Sequence, residues 1–366
     1  MSRNALFYTL IPLCACALTG FFPVAVLAQI SPSAPSAFTR APLVPTTAPR
    51  ARVVIVQDDD ATESFKVNPA VVRALVQRGL TNFTGQSDLG AACRQLVSTQ
   101  DVVGLKVFSA PGPQAGTRPA VVAGVIEGLL AAKIPPSHII IWDLQLADLK
   151  RAGFDELARE YGVRVAGSQD AGWDAKTFYE SAMLGQLVFG DLEFQKKGEH
   201  VGRKSFVSKL LTKDITKIIN ISPLLNHNSA GVCGNLYSLA LGSVDNTIRF
   251  EDSDSRLAQA VPEIYALPIL GERVVLNIVD ALLCQYQGEH IGRLHDSTAL
   301  NQLRFSTDPV ALDVLSVQEL IRQRSHAALL SNLRTNRLEL YQNAALLELG
   351  QADPRQIELR GHKLRE

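Results

Sequence analysis

Short, uninterrupted apolar runs recur along this chain, and each gives way to a polar or small residue before a helical stretch begins. Residues 53–56 form the first, and 101–107, 137–143, 163–165, 215–222 and 274–279 continue the series. A strand apolar on both faces is buried on both faces, and such strands belong to mostly parallel sheets covered by helices. Helical stretches alternate with them: 68–77 with Gly79 as its stop, 88–97, a segment from Pro119, and 147–161 closed by Gly162. Pro69, Pro119 and Pro309 each stand in a first helical turn, where a missing N–H costs nothing. This alternation predicts an α/β fold: a mostly parallel, doubly wound sheet with helices on both faces, as one body or two lobes sharing a core. Residues 303–305 add a short strand, two helices fill the chain to about Leu349, and 357–359 add an edge strand. Residues 167–198 lack clear periodicity and read as an insertion or a small antiparallel piece.

The ends are organised differently. Residues 1–28 carry Arg3, a long apolar run and the small-residue stretch Val26-Leu27-Ala28, which reads as a secretory signal peptide. Residues 29–51 are rich in Pro, Ser, Ala and Thr and read as an extended linker, leaving 52–366 as the α/β domain. The expected product is exported, periplasmic or extracellular, with no membrane association after signal cleavage. Lys plus Arg and Asp plus Glu both count 36, so no basic field marks the chain for nucleic acid. Cys93, Cys233 and Cys284 form no C-x-x-C pair, which argues against a zinc site or an iron–sulfur cluster held by this chain. One disulfide plus a thiol, or three buried reduced cysteines, both fit; the second is favoured.

The polar stretch 226–235 is richer than packing requires. Asn226, His227 and Asn228 follow a buried strand, Gly231 and Gly234 come next, and a helix begins near Asn235. Strand ends followed by small-residue loops are where open α/β sheets hold ligands. His227 titrates near neutral pH and is the candidate proton-transfer group or metal ligand. Asn228, Gly231, Gly234 and Asn235 are candidate contacts. Lys106, near the end of a buried strand, must find an anionic partner or reach the surface. Thr117 is the expected cap of the helix at Pro119, and Arg118 beside that N-terminus suits a small anionic ligand. Asp280 and Asp308 close a strand and open a helix, and would orient partners or a cation. The acidic run 58–60 and the group Glu289, His290, His295 and Asp296 match no defined metal motif; metal and cofactor stay unassigned. No P-loop, G-x-G-x-x-G, G-x-S-x-G or H-E-x-x-H motif is present.

Six segments in register carry a resemblance: VVGLKV at 102–107, TRP at 117–119, IIIWD at 139–143, HNSAGV at 227–232, IVDAL at 278–282 and STDPVALD at 306–313. Together they resemble the bacterial domain-of-unknown-function family 362. The resemblance implies a largely uncharacterised activity. Some members are fused to four-iron four-sulfur modules, which implies an iron–sulfur protein partner and a redox accessory role as one alternative. The family pattern places lysines where this chain has Leu225 and Tyr237, which implies a catalytically silent member as another. A more distant similarity to nickel-pincer-dependent lactate racemases rests on the Thr-Arg-Pro helix start and the histidine-glycine loop. Tyr237 stands where their cofactor lysine lies, so that cofactor is not carried over.

Overall fold

The computed structural model describes residues 51–288, 291–327 and 338–364. The segment expected to be a signal peptide, the expected linker before Ala51, and Glu289 and His290 lie outside the described residues. In chain order the elements are β1 (Ala51–Gln57), β2 (Thr62–Glu63), β3 (Lys66–Val67), α1 (Pro69–Thr84) and α2 (Leu89–Leu96). Next come β4 (Val103–Val107), α3 (Pro119–Ala131), β5 (Ile139–Asp143), α4 (Leu146–Arg151), α5 (Phe154–Tyr161) and β6 (Arg164–Gly167). They are followed by α6 (Ser168–Ala171), β7 (Trp173–Glu180), β8 (Lys204–Ser208), β9 (Lys217–His227), β10 (Gly231–Val232) and α7 (Asn235–Ser243). The chain continues through α8 (Ile248–Glu251), α9 (Asp254–Tyr265), β11 (Val274–Gln285), β12 (Ser297–Ser306), α10 (Pro309–His326), α11 (Glu339–Leu346) and β13 (Ile357–Lys363).

The central sheet has the order β13-β1-β12-β11-β9-β4-β5-β6. Only β12 runs antiparallel to its two neighbours in that row, so the sheet is mostly parallel. Alternation along each strand divides the core in two. Val103, Leu105, Val107, Ile139, Ile141, Ile219, Ile221, Leu276 and Ile278 pack with α1, α2, α3 and α5 on one face. Ile140, Trp142, Ile218 and Val279 pack with α7, α9, α10 and α11 on the other. The sheet is thus wound on both faces, and the described residues belong to one compact unit rather than two lobes. No described helix is long and apolar enough to cross a membrane.

Five elements differ in their boundaries from the sequence reading. Helix α1 passes Gly79 and stops at Thr84. Gly79 is a contact point, since a Cβ there would overlap the Phe305 ring; Gly85 ends the helix with φ 73°, a left-handed conformation that glycine adopts without strain. The expected 147–161 helix is two helices, α4 and α5, broken where Gly153 takes φ 87°. Strands β11 and β12 run well beyond the short runs that announce them. Strand β9 continues past Ser222 to His227, but its continuous ladder with β11 ends at Pro223. Proline has no N–H to donate, so the register shifts there; the pairing resumes at Leu225 with Gln285 before the β9–β10 hairpin closes over Asn226 and His227. The 167–198 region contains β7, which pairs antiparallel with β8, in keeping with the small antiparallel piece.

Candidate functional site

From β4 the chain winds outward through β5 to β6. It then returns to β4's other side as β9 and proceeds to β11. The reversal puts the topological switch between β4 and β9, where such sheets open a crevice at their C-terminal ends. Thr117 crosses that gap: its hydroxyl accepts from Phe108 N (2.9 Å) and donates to Ile221 O (2.7 Å). This corrects its expected role. Thr117 does not cap α3, because its hydroxyl is committed to tying β4 to β9; Arg118 occupies the N-cap position.

Lys106 and Arg118 leave this seam on opposite faces. Lys106 lies between Leu105 and Val107 and so points to the α7 side, with no exposed surface. Its ammonium donates to Asp143 Oδ1 (2.9 Å), Val107 O (2.6 Å) and Ser238 Oγ (3.0 Å), which uses all three of its donors. Burial lowers the lysine's affinity for its proton, and the Asp143 carboxylate opposes that shift. Ser109 completes the cluster, donating from its backbone N and its hydroxyl to Asp143 Oδ2, both at 2.7 Å. The helix passes close enough that a Cβ at Gly242 would overlap the lysine side chain.

On the α3 side, Asp280 Oδ1 accepts from Arg118 Nη1 (2.9 Å) and Oδ2 from Arg118 N (3.0 Å). Arg118 Nη2 also donates to Gln114 O (2.9 Å). The positive end of α3 and its guanidinium therefore hold a carboxylate of the same chain. The N-terminus of α7 is treated the same way. Asp313, from α10, accepts from Asn235 N (2.7 Å), Leu236 N (2.9 Å) and Asn235 Nδ2 (3.1 Å), and a Cβ at Gly234 would overlap this carboxylate. Asp308 caps α10 through Ala311 N (2.8 Å) and accepts from Gln351 N (2.8 Å). The sequence identifies that cap correctly, and its geometry is structural.

His227 sits at the turn of the β9–β10 hairpin, opposite Gly231. Its Nδ1 accepts from Ser229 N (3.2 Å) and Ala230 N (3.0 Å), so the neutral ring carries its proton on Nε2. The ring lies 4.4 Å from that of Tyr237, which meets Phe108 edge-on at 6.2 Å. Tyr237 thus sets its ring against the histidine at a tilt of 44°, and Leu225 is fully buried in the core. Tyr341 braces the turn by donating to Ala230 O (2.6 Å). Asn228 is exposed, and its Oδ1 accepts from Asn226 Nδ2 (3.1 Å). Ser229 lines a cleft of about 460 Å³ with Ser253, Asp254, Ser255, Ala258, Glu339 and Leu340.

Sequence reasoning therefore names residues that lie on both faces of the sheet and do not form one cationic pocket. It misses Ser109 and Ser238, and gives Asp143 and Asp313 positions but no role. The need of a buried lysine for an anionic partner is the signal that points to Asp143. Asn220 Oδ1, Ser222 Oγ and Asn235 Oδ1 lie on the α7 side without a hydrogen-bond partner among the described residues. No group of three or more His, Cys, Asp or Glu suited to a metal occurs among the described residues. Cys93, Cys233 and Cys284 are buried, and burial pushes the thiols of Cys93 and Cys284 up to about 12, away from thiolate chemistry.

Burial also raises Asp313 from 3.8 to about 7, against the pull of its three N–H partners. A carboxyl that resists ionisation in the folded chain but ionises freely in the unfolded one contributes its full stability only below the unfolded value. That contribution is lost as pH rises from about 4 to about 7. Urea unfolding should therefore show the stability gap between wild type and Asp313→Asn narrowing across this window. A constant or widening gap would contradict the assignment.

Comparison with known proteins gives one family match: the family described as "Domain of unknown function (DUF362)" matches residues 103–318. A crystal structure of a Thermotoga maritima protein aligns with 72% of this chain and 60% of its own, at 13% identity and a TM-score of 0.39. The chain thus spans about 60% of the length of that solved structure. No curated protein matches the sequence.

Proposed function

The chain belongs to the DUF362 family, and on that footing we propose that it is a binding protein for a small, hydroxyl-rich molecule, held beside the hairpin that carries His227. The carrying observation is the chemistry of the cleft that Ser229 opens onto: three serines and the carboxylates Asp254 and Glu339 line it. Serine hydroxyls donate and accept, and carboxylates accept, which suits a ligand presenting several hydroxyls. The small anionic ligand expected from the sequence finds less support, because Arg118 and Lys106 already hold Asp280 and Asp143. Binding rather than bond-breaking is the role proposed for this cleft. Lys106, the buried amine at the β4–β9 seam, is sealed under α7 with every donor used. The sequence of residues 1–28 supports a site of action outside the cytoplasm.

A thermal-shift panel of mono- and disaccharides, inorganic phosphate and dicarboxylates tests this. We expect at least one sugar to raise the Tm in a concentration-dependent way. Ser229→Tyr, which fills the cleft from an accessible turn, should abolish the shift with the unliganded Tm nearly unchanged. His227→Ala should weaken binding by about tenfold, equivalent to about 1.4 kcal/mol. Shifts confined to phosphate or dicarboxylates, or sugar shifts that survive Ser229→Tyr, would overturn the reading.

A further inference from the structure

Among the described residues, strand β13 ends the sheet on one side, paired with β1 along seven residues and with no strand on its other flank. An edge strand carries outward N–H and C=O groups along half its residues, a template for another strand. We propose that β13 pairs antiparallel with β13 of a second copy of this chain, about a two-fold axis through Leu359, so that the two sheets continue into one another.

Its side chains are self-complementary in that register. Centring on Leu359 places Glu358 opposite Arg360 of the second copy and, by symmetry, Arg360 opposite its Glu358. The two already share one sheet face, with Arg360 Nε 2.8 Å from Glu358 Oε1 within the strand. The two-fold axis turns this single pair into an alternating square of two positive and two negative charges. On the opposite face Leu359, 53% exposed, meets its own symmetry mate. Ile357 falls opposite Gly361, which leaves room for it. Directly opposed unlike charges and apolar pairs are the contacts that stabilise an antiparallel strand pair, and an isologous contact closes at two copies. Two of the protections common on a free edge are missing: β13 contains no proline, and no bulge interrupts its register with β1. The opposite edge strand, β6, has only four residues. Its composition, Arg164 to Gly167, offers no comparable self-pairing of opposite charges.

Sedimentation velocity of the full chain over a concentration series tests the pairing. Wild type should show a reversible monomer–dimer equilibrium. Arg360→Glu opposes Glu358 with a new carboxylate, and Glu358→Arg opposes two guanidinium groups; each should weaken self-association by at least about tenfold. Mixing the two variants should restore a dimer, because every cross-strand pair is again of opposite sign, and a tag on one variant identifies it as the mixed species. Both substitutions are at accessible positions, and unchanged Tm values confirm that the fold is intact. A wild type monomeric up to its solubility limit, or single variants that dimerise as wild type does, would overturn the proposal.

Discussion

Replacing Asp280 by alanine is expected to destabilise the protein by about 3–5 kcal/mol, the usual cost of removing one partner from a buried ion pair. The carboxylate has no exposed surface and serves two cationic features at once, the Arg118 guanidinium and the Arg118 N–H at the N-cap of α3. Its loss strands a buried positive charge and uncaps a helix in the same event. Equilibrium unfolding in guanidinium chloride would read the loss as a lower midpoint. The double variant Asp280→Leu with Arg118→Met should be markedly more stable than Asp280→Ala, since an apolar pair leaves no charge without a partner. If Asp280→Ala unfolded with the wild-type midpoint, the ion pair would not be the fastening described here.

Lys106→Met is the second large effect. It preserves much of the side-chain volume beneath Gly242 but leaves the Asp143 carboxylate with Ser109 alone from this cluster. It also leaves Val107 O and Ser238 Oγ without their donor. A cost of about 3–5 kcal/mol is again expected, partly recovered by adding Asp143→Leu. This residue also separates two roles. If Lys106 only fastens β4, β5 and α7 together, the double variant should bind sugar as wild type does while differing in stability. Loss of binding by that well-folded variant would place the lysine in the ligand site instead.

The strands were legible because a doubly buried strand has no polar face to confuse its pattern; 101–107 and 137–143 needed no long-range information. Helix ends were less so, because Gly79 has the same local signature whether it stops a helix or receives a phenylalanine ring. For the site, the sequence marked Thr117, Arg118, Lys106, His227 and Asp280, and it required an anion for Lys106. It could not say that the anion comes from the next strand, because that depends on the order in which the strands lie. Arg118 and Asp280 are 162 positions apart, and nothing local reveals that the carboxylate preempts the helix N-terminus. The helix start at 117–119 therefore looked like a vacant anion site when the chain had already supplied the anion.

Gly234 and Gly242 carry a consequence beyond packing. Each leaves a space whose shape is set by a residue remote in sequence, Asp313 for the first and Lys106 for the second. Neither member of such a couple has a fitness of its own: a bulkier residue at position 234 is tolerable only alongside a shorter one at 313, and the same holds for 242 with 106. Drift along this chain is therefore constrained to paired moves. The start of α7, which follows the loop that carries His227, is fixed by the first of those pairs.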